Sequence, residues 1–340
     1  MPKRSRITIE DIAAWDNLVW AAARAAQGKR LQPAVCSFLN NLDANLRSLR
    51  EGLLDGTVYI GEAAVFRIYD PKLRTIHAPV FRERVLHHAL IRYVGPVLED
   101  SLVADTFACR IGKGAIAAAR RAQHFSRRYA WFGKLDVRHY FASICHTRLL
   151  GMLEQKFKDR QLLDLLQRIV RACPSEPGRG LPIGALTSQS FANFYLNRLD
   201  RLLLEGRQVR GLVRYMDDVV WWCDSKADVR AVADAAEEFL HEHLSLQIRP
   251  PLQVNQTVRG IPICGFRVFP GRQLLSQRRR KLYCRGRRRW ETKFDQGLID
   301  AQQLQSGYSA TLGITLHANA SAWRMEQLRR QPPLDSCNET

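Results

Sequence analysis

The stretch "RYMDDVVWWC", residues 214–223, sets two adjacent carboxylates, Asp217 and Asp218, inside a β-branched and aromatic run. Burying an unpaired carboxylate is costly, so a strand cannot carry this pair into a core. The run therefore predicts two short strands flanking a turn at Met216 to Asp218, with the acids turned to water, to basic partners or to a cation. "WFGKLDVRHYF" predicts a second strand that stops at a third carboxylate, Asp136.

Around these strands the periodicity is mixed. Residues 5–50 carry Ala, Arg and Leu at helical spacing and predict two helices broken near Gly28 and Pro33. "VYIGEAAVFRIYDPKLRTIHAP" alternates apolar and polar residues and predicts a hairpin turning at Asp70 and Pro71, with Lys72 and Arg74 at its tip. Helical spacing returns from Phe81 to about Pro96 and again in "SQSFANFYLNRLDRLLLE", with Ser188 as a start. "CGFRVFPGRQLL" reads as another hairpin around Pro270 and Gly271. There is no repeat and no clean βαβ alternation, which makes the expected fold class α+β.

With 340 residues, 46% of them hydrophobic, the chain is long enough for two or three domains and is not disordered by composition. A net charge of +19 surrounds a fold of this size with a positive field, so nucleic acid is the first partner to expect. Residues 271–290 hold nine Arg or Lys and no acid, and their interleaved Leu, Tyr and Trp predict a partly packed segment aimed at phosphates. The eight cysteines are scattered, without a C-x-x-C pair, and read as free cytosolic thiols. The N-terminus has basic residues but no apolar stretch behind them, and no run of about 18 apolar residues occurs, so the expected location is neither secreted nor membrane-spanning.

Three acidic side chains on two strand ends, in a chain this basic, have the composition of a Mg²⁺ site for phosphoryl transfer. Spacing alone does not separate that from a surface turn with an incidental acid pair. His87 and His88, adjacent on a helix, point about 100° apart and make a poor metal pair, so they read as packing or RNA-facing. Ser188, His139 and Asp136 lack a nucleophile-elbow pattern and do not read as a hydrolase triad.

"KLDVRHYFASI" at 134–144, "GLPIGALTSQSFANFYLNRLD" at 180–200 and "YMDD" at 215–218 resemble, in order, successive palm motifs of reverse transcriptases. With "PKLRTIHAP" and "FRERVLHHAL" before them and "GFRVF" after, the resemblance spans about residues 60–275. It implies a right-hand polymerase fold: an N-terminal helical extension over 1–55, fingers over 56–130, a palm over 131–270 with a fingers-contributing part around 157–187, and a short, basic, helical thumb over 271–340. It also implies RNA-directed DNA synthesis with two Mg²⁺ ions, Mn²⁺ being able to substitute, held by Asp136, Asp217, Asp218 and the backbone carbonyl of Val137.

On the same resemblance, Lys72 and Arg74 hold the incoming deoxynucleoside triphosphate, and Phe141 excludes a ribose 2′-hydroxyl. Ile183, Gly184 and Gln189 line the nascent base pair. Ser188, Gly265, Phe266, Arg267, Arg278, Arg279, Arg280 and Lys281 contact template RNA or the RNA/DNA heteroduplex. "LPIGALTSQ" and "LHAN" at 316–319 are most similar to the reverse transcriptases of diversity-generating retroelements, although Ala142, Ala185 and "HANASAW" depart from that pattern. That subtype implies error-prone copying at template adenines, a small basic accessory protein oligomer, and a cytoplasmic enzyme of bacterial, archaeal or phage origin. A retron-type or phage-defence enzyme is the alternative, followed by an RNA-binding protein with a vestigial palm.

Overall fold

A computed structural model of the chain describes residues 4–69, 73–172, 176–206 and 208–332. The strands among them are β1 (Ala63–Tyr69), β2 (Leu73–Pro79), β3 (Trp131–Asp136), β4 (Gly211–Tyr215), β5 (Asp218–Cys223), β6 (Gln253–Gln256), β7 (Ile261–Ile263), β8 (Phe266–Val268) and β9 (Gln273–Leu275). Helices account for most of the remainder, in the irregular mixture that defines an α+β fold. The chain divides into two compact units, each discontinuous in sequence.

The first unit comprises Met1–Ala104, Asp136–Leu203 and Asp234–Pro250. Its N-terminal region forms four helices, Ile9–Ala13, Trp15–Ala26, Pro33–Asn40 and Leu42–Leu54, rather than the two expected. The expected break falls between Ala26 and Pro33, with Gly28 at φ 71°. Ala14 at ψ 136° and Asn41 at φ −120° add two further breaks that carry no Gly or Pro signal. Leu18, Leu46, Leu49, Leu86 and Leu90 are fully buried and form part of this unit's core. β1 and β2 pair antiparallel from Ala63 opposite Pro79 to Tyr69 opposite Leu73, as the alternating pattern predicts. Asp70, Pro71 and Lys72, the expected turn, lie outside the described residues.

The second unit comprises Asp105–Leu135, Leu204–Ala233 and Pro251–Thr340. One sheet has the order β4-β5-β3-β6, and β7, β8 and β9 form an antiparallel meander. The Ala115–Ser126 helix buries Ala118, Ala119, Ala122 and Phe125 in a core that also holds Val213, Val220, Trp222, Ile261 and Phe266. Its seat on β4 needs a missing side chain, because a Cβ at Gly211 would meet the Phe125 ring at 2.4 Å. The predicted basic segment is the Gln277–Asp295 helix, capped by the Ser276 side chain and followed by helices Ala301–Gly313 and Ser321–Arg330. Among the described residues no helix is long and apolar enough to cross a membrane.

Candidate active site

In the second unit, β4 and β5 turn back on each other through two residues, with Tyr215 opposite Asp218. Met216, the first turn residue, sits at φ 60°, a left-handed conformation that costs a non-glycine residue energy. Arg214, fully buried, holds this turn by donating from Nη1 to the Met216 carbonyl at 3.0 Å. The Arg214 backbone is bonded on both sides to the preceding loop: its amide donates to Asp105 O and its carbonyl accepts from Phe107 N, each at 2.9 Å. A charge in the middle of a buried strand was the signal that it had a structural task.

Asp218 forms an ion pair with Lys134 of β3, and the same Lys134 Nζ donates to the Pro262 carbonyl of β7 at 2.6 Å. Lys134 is 13% exposed, so this strut is shielded from water and connects the acid pair to the meander. Beside it, the β7–β8 turn holds Cys264 at φ 50° and Gly265 at φ 80°, the two positive values that a two-residue hairpin of the primed type requires. Burial, and then the Asp218 carboxylate, pushes the Cys264 thiol up to about 12. Burial also raises the Tyr215 hydroxyl, with Cys264 as the next cause.

In the first unit, Asp136 accepts from Arg249 Nη1 at 2.6 Å through its side chain and from Arg249 N at 2.7 Å through its carbonyl. The second bond, with Arg138 N to Gln247 O at 2.8 Å, builds a bridge between Val137 and Ile248. Because that bridge uses the carbonyl of Asp136, the Val137 carbonyl points away from residues 247–249. His139 follows at φ 47°, and the short Tyr140–Ser143 helix then presents Phe141, half-buried, edge-on to Tyr140 at 5.8 Å. The buried Tyr140 hydroxyl donates to Ala192 O at 2.5 Å, and Leu181 N donates to Phe141 O at 2.8 Å, which fix this segment.

The loop before the Leu186–Glu205 helix lies on β2, where His77 N donates to Ile183 O at 2.8 Å. Gly184 at φ 124° passes so close that a Cβ there would stand 2.6 Å from the His77 carbonyl oxygen. Ile183 is half-buried, whereas Gln189 and, on β2, Arg74 are exposed. Lys72 lies outside the described residues. Behind the loop Thr187 Oγ1 and His87 Nδ1 are 3.0 Å apart, His87 Nε2 is 3.4 Å from Glu83 Oε1, and Glu83 Oε2 accepts from Gly61 N at 3.0 Å. His87 is thus a packing residue, one of two expected readings.

Four of the expected nucleic-acid contacts lie against the chain's own side chains. Ser188 and Phe266 are 2% and 1% exposed, so their side chains face their own cores. Arg279 stacks on the Phe266 ring at 4.2 Å, and Arg280 on Trp323 at 5.5 Å, because an arginine plane near an aromatic face gains by packing there. Arg267, Arg278 and Lys281 are exposed, and Gly265 is half-buried beside Arg279. Sequence reasoning did not single out Lys134, Arg214 or Arg249; Arg249 is 113 positions from Asp136 and gave no local signal.

Among the described residues no group of three His, Cys, Asp or Glu side chains is gathered as a metal centre. Asp136 is turned to Arg249, and Asp218 to Lys134. Asp136 and, in the other unit, Asp218 are each partly exposed and beside a basic group, and carboxylate oxygens of this kind suit a hard divalent cation.

The chain matches the model of the family described as "Reverse transcriptase (RNA-dependent DNA polymerase)" over residues 70–250. The group II intron-encoded protein LtrA of Lactococcus lactis subsp. cremoris is 24% identical over 174 residues, 48% of this chain and 29% of that protein. Protein YkfC of Escherichia coli K12 is 25% identical over 207 residues, 56% of this chain and 53% of that protein. This chain therefore spans between 15% and 53% of the length of the curated relatives it matches. A telomerase from Candida tropicalis in complex with a fragment of telomeric RNA is 10% identical, at a TM-score of 0.49, covering 85% of this chain and 58% of that one.

Proposed function

Because the chain belongs to the reverse transcriptase (RNA-dependent DNA polymerase) family, we propose that it extends a DNA primer along an RNA template with a right-hand arrangement of fingers, palm and thumb. The observation that carries this reading is the turn at 216–217. It is strained at Met216, anchored by Arg214, and carries an acid pair balanced by Lys134. Proteins keep strained, charge-bearing turns where function requires the geometry.

Asp136, Asp217 and Asp218, with the Val137 carbonyl, would hold Mg²⁺. When bound, the metal lowers the barrier by stabilising the attacking and leaving oxygens. The chain's own groups do the rest. Arg74, together with Lys72, neutralises the triphosphate. The Phe141 ring fills the space a 2′-hydroxyl needs, Gly184 brings backbone against the new base pair, and the turn at Cys264 and Gly265 seats the primer end. Arg267, Arg278 and Lys281 bind phosphates. The test is Asp217→Asn, which preserves shape and removes charge. Deoxynucleotide incorporation should disappear while circular dichroism and melting stay unchanged, and normal primer extension by the folded variant would reject the assignment.

Within the family, the "LPIGALTSQ" loop supports a diversity-generating retroelement enzyme that miscopies adenines and works with a small basic accessory protein in the cytoplasm. A second reading, an intron-type enzyme, is favoured by the similarity to LtrA. A template and variable repeat pair beside the gene supports the first reading, and flanking intron RNA sequence supports the second.

A further inference from the structure

The second unit contains a basic surface outside the segment that composition singles out. Residues 106–135 hold seven Lys or Arg and no acid, in a chain where 33 of 340 residues are acidic. The Ala115–Ser126 helix lies in this stretch with its apolar side buried, so its cations are forced to the other side. Arg120 and His124 lie four residues apart on the helix, and Arg127 at its C-cap and Arg128 in the turn after it follow. Arg120, Arg127 and Arg128 are exposed.

A merely solvated helix face accounts for this poorly. Such faces mix signs, and like charges four residues apart destabilise a helix. The helix dipole favours Arg127 and Arg128 at the C-terminal end, but it equally favours acids in the first turn, which has none, and it does not account for Arg120. Local crowding is visible at His124, whose pKa is lowered by burial and then by Arg128, Arg121 and Arg127. Arg121 is set apart from the stripe, because it is bonded to both oxygens of Asp105 at 2.8 and 3.0 Å.

The stripe continues beyond the helix. Arg127 Nε donates to the Pro270 carbonyl at 2.9 Å and Gln123 to the Phe269 carbonyl at 3.3 Å, fastening the helix to the turn between β8 and β9. That turn carries exposed Arg272, and Arg267 lies on the adjoining β8, the two stacked over the Phe269 ring at 5.2 and 5.7 Å. Residues 251–290 contain eleven Lys or Arg and again no acid.

We propose that the surface formed by Arg120 on the Ala115–Ser126 helix and by Arg127 and Arg128 at its C-terminal end, continued by Arg272, is a track for the sugar-phosphate backbone of nucleic acid, binding without base readout. From Arg120 to the C-cap at Arg127 the helix rises about 10 Å, which matches about three phosphate steps of one strand. The one carboxylate that acts on His124, Asp105, is held by Arg121, so the exposed arginines meet a polyanion with little to repel it. The inference rests on the polymerase reading, since that reading supplies the nucleic acid.

The test measures the affinity of the full chain for a labelled RNA/DNA primer-template over a series of salt concentrations, beside Arg120→Gln/Arg128→Gln and Arg120→Lys/Arg128→Lys. Glutamine is a good helix former, and both sites are exposed, so the fold should be retained. The glutamine pair should flatten the log-log salt slope by about 1.4 to 1.8 on unrelated sequences alike, and the lysine pair should restore it. An unchanged slope in the glutamine pair overturns the track and leaves the face to an acidic protein. Primer extension by the wild-type chain in the same buffer is read separately, so failure of the polymerase reading is distinguishable from failure of the track.

Discussion

At the scale of single residues, Phe141 and Thr187 make contrasting predictions. Phe141 is held through Leu181 and its neighbour Tyr140, so shortening it should leave the fold intact and open space where a ribose hydroxyl would fit. Phe141→Ala should raise ribonucleotide incorporation relative to deoxynucleotide incorporation in primer extension, and an unchanged ratio assigns the selectivity elsewhere. Thr187→Val should act on stability, because it keeps the shape and leaves the buried His87 Nδ1 without its hydroxyl. A loss of about 1 to 3 kcal/mol in urea unfolding is expected from one unsatisfied buried group. The three aspartates were legible because charge in an apolar run is conspicuous. Their basic partners were not, since Lys134 and Arg249 look like any other cation until distant segments come together.

Elements were legible where the signal is local. The hairpin of β1 and β2 follows from alternation and the turn at 216–217 from the acids, whereas composition marked 271–290 as a packed basic segment without showing that it is helical. The breaks at Ala14 and Asn41 escaped notice because a residue of unremarkable propensity can end a helix when packing rewards the new direction. Composition did not show which arginines of that basic helix lie on aromatic rings, as Arg279 and Arg280 do. Arg278→Gln/Lys281→Gln should therefore flatten the salt dependence of RNA binding by up to about 1.4 to 1.8 in log-log slope. Arg279→Gln should chiefly lower the melting temperature, through a cation–π contact worth about 0.5 to 2 kcal/mol. If Arg279→Gln flattens the slope and leaves melting unchanged, its stacked position is not the one it holds in solution.

The whole molecule poses the question that no single element answers, namely how accurately the proposed polymerase would copy. Both compact units are discontinuous in sequence, so a continuous reading of the chain could not delimit them. The same long-range organisation sets Ile183, whose carbonyl is tied to His77 of β2 while its side chain is half-buried. An apolar side chain there cannot supply the hydrogen bond with which a glutamine would constrain the nascent base pair of the proposed polymerase. One such bond is worth about 0.5 to 1.5 kcal/mol, or roughly a 2-fold to 13-fold change in discrimination. The predicted spectrum is a large excess of substitutions opposite template adenines, counted by sequencing cDNA made from a defined RNA with all four bases, with and without any basic accessory protein encoded nearby. Ile183→Gln should reduce that excess by a factor within this range while extension continues, because the backbone bond to His77 does not depend on the side chain. A uniform low error rate in the wild-type chain under both conditions would reject the diversity-generating reading and leave family membership untouched, since that membership rests on residues 70–250 as a whole.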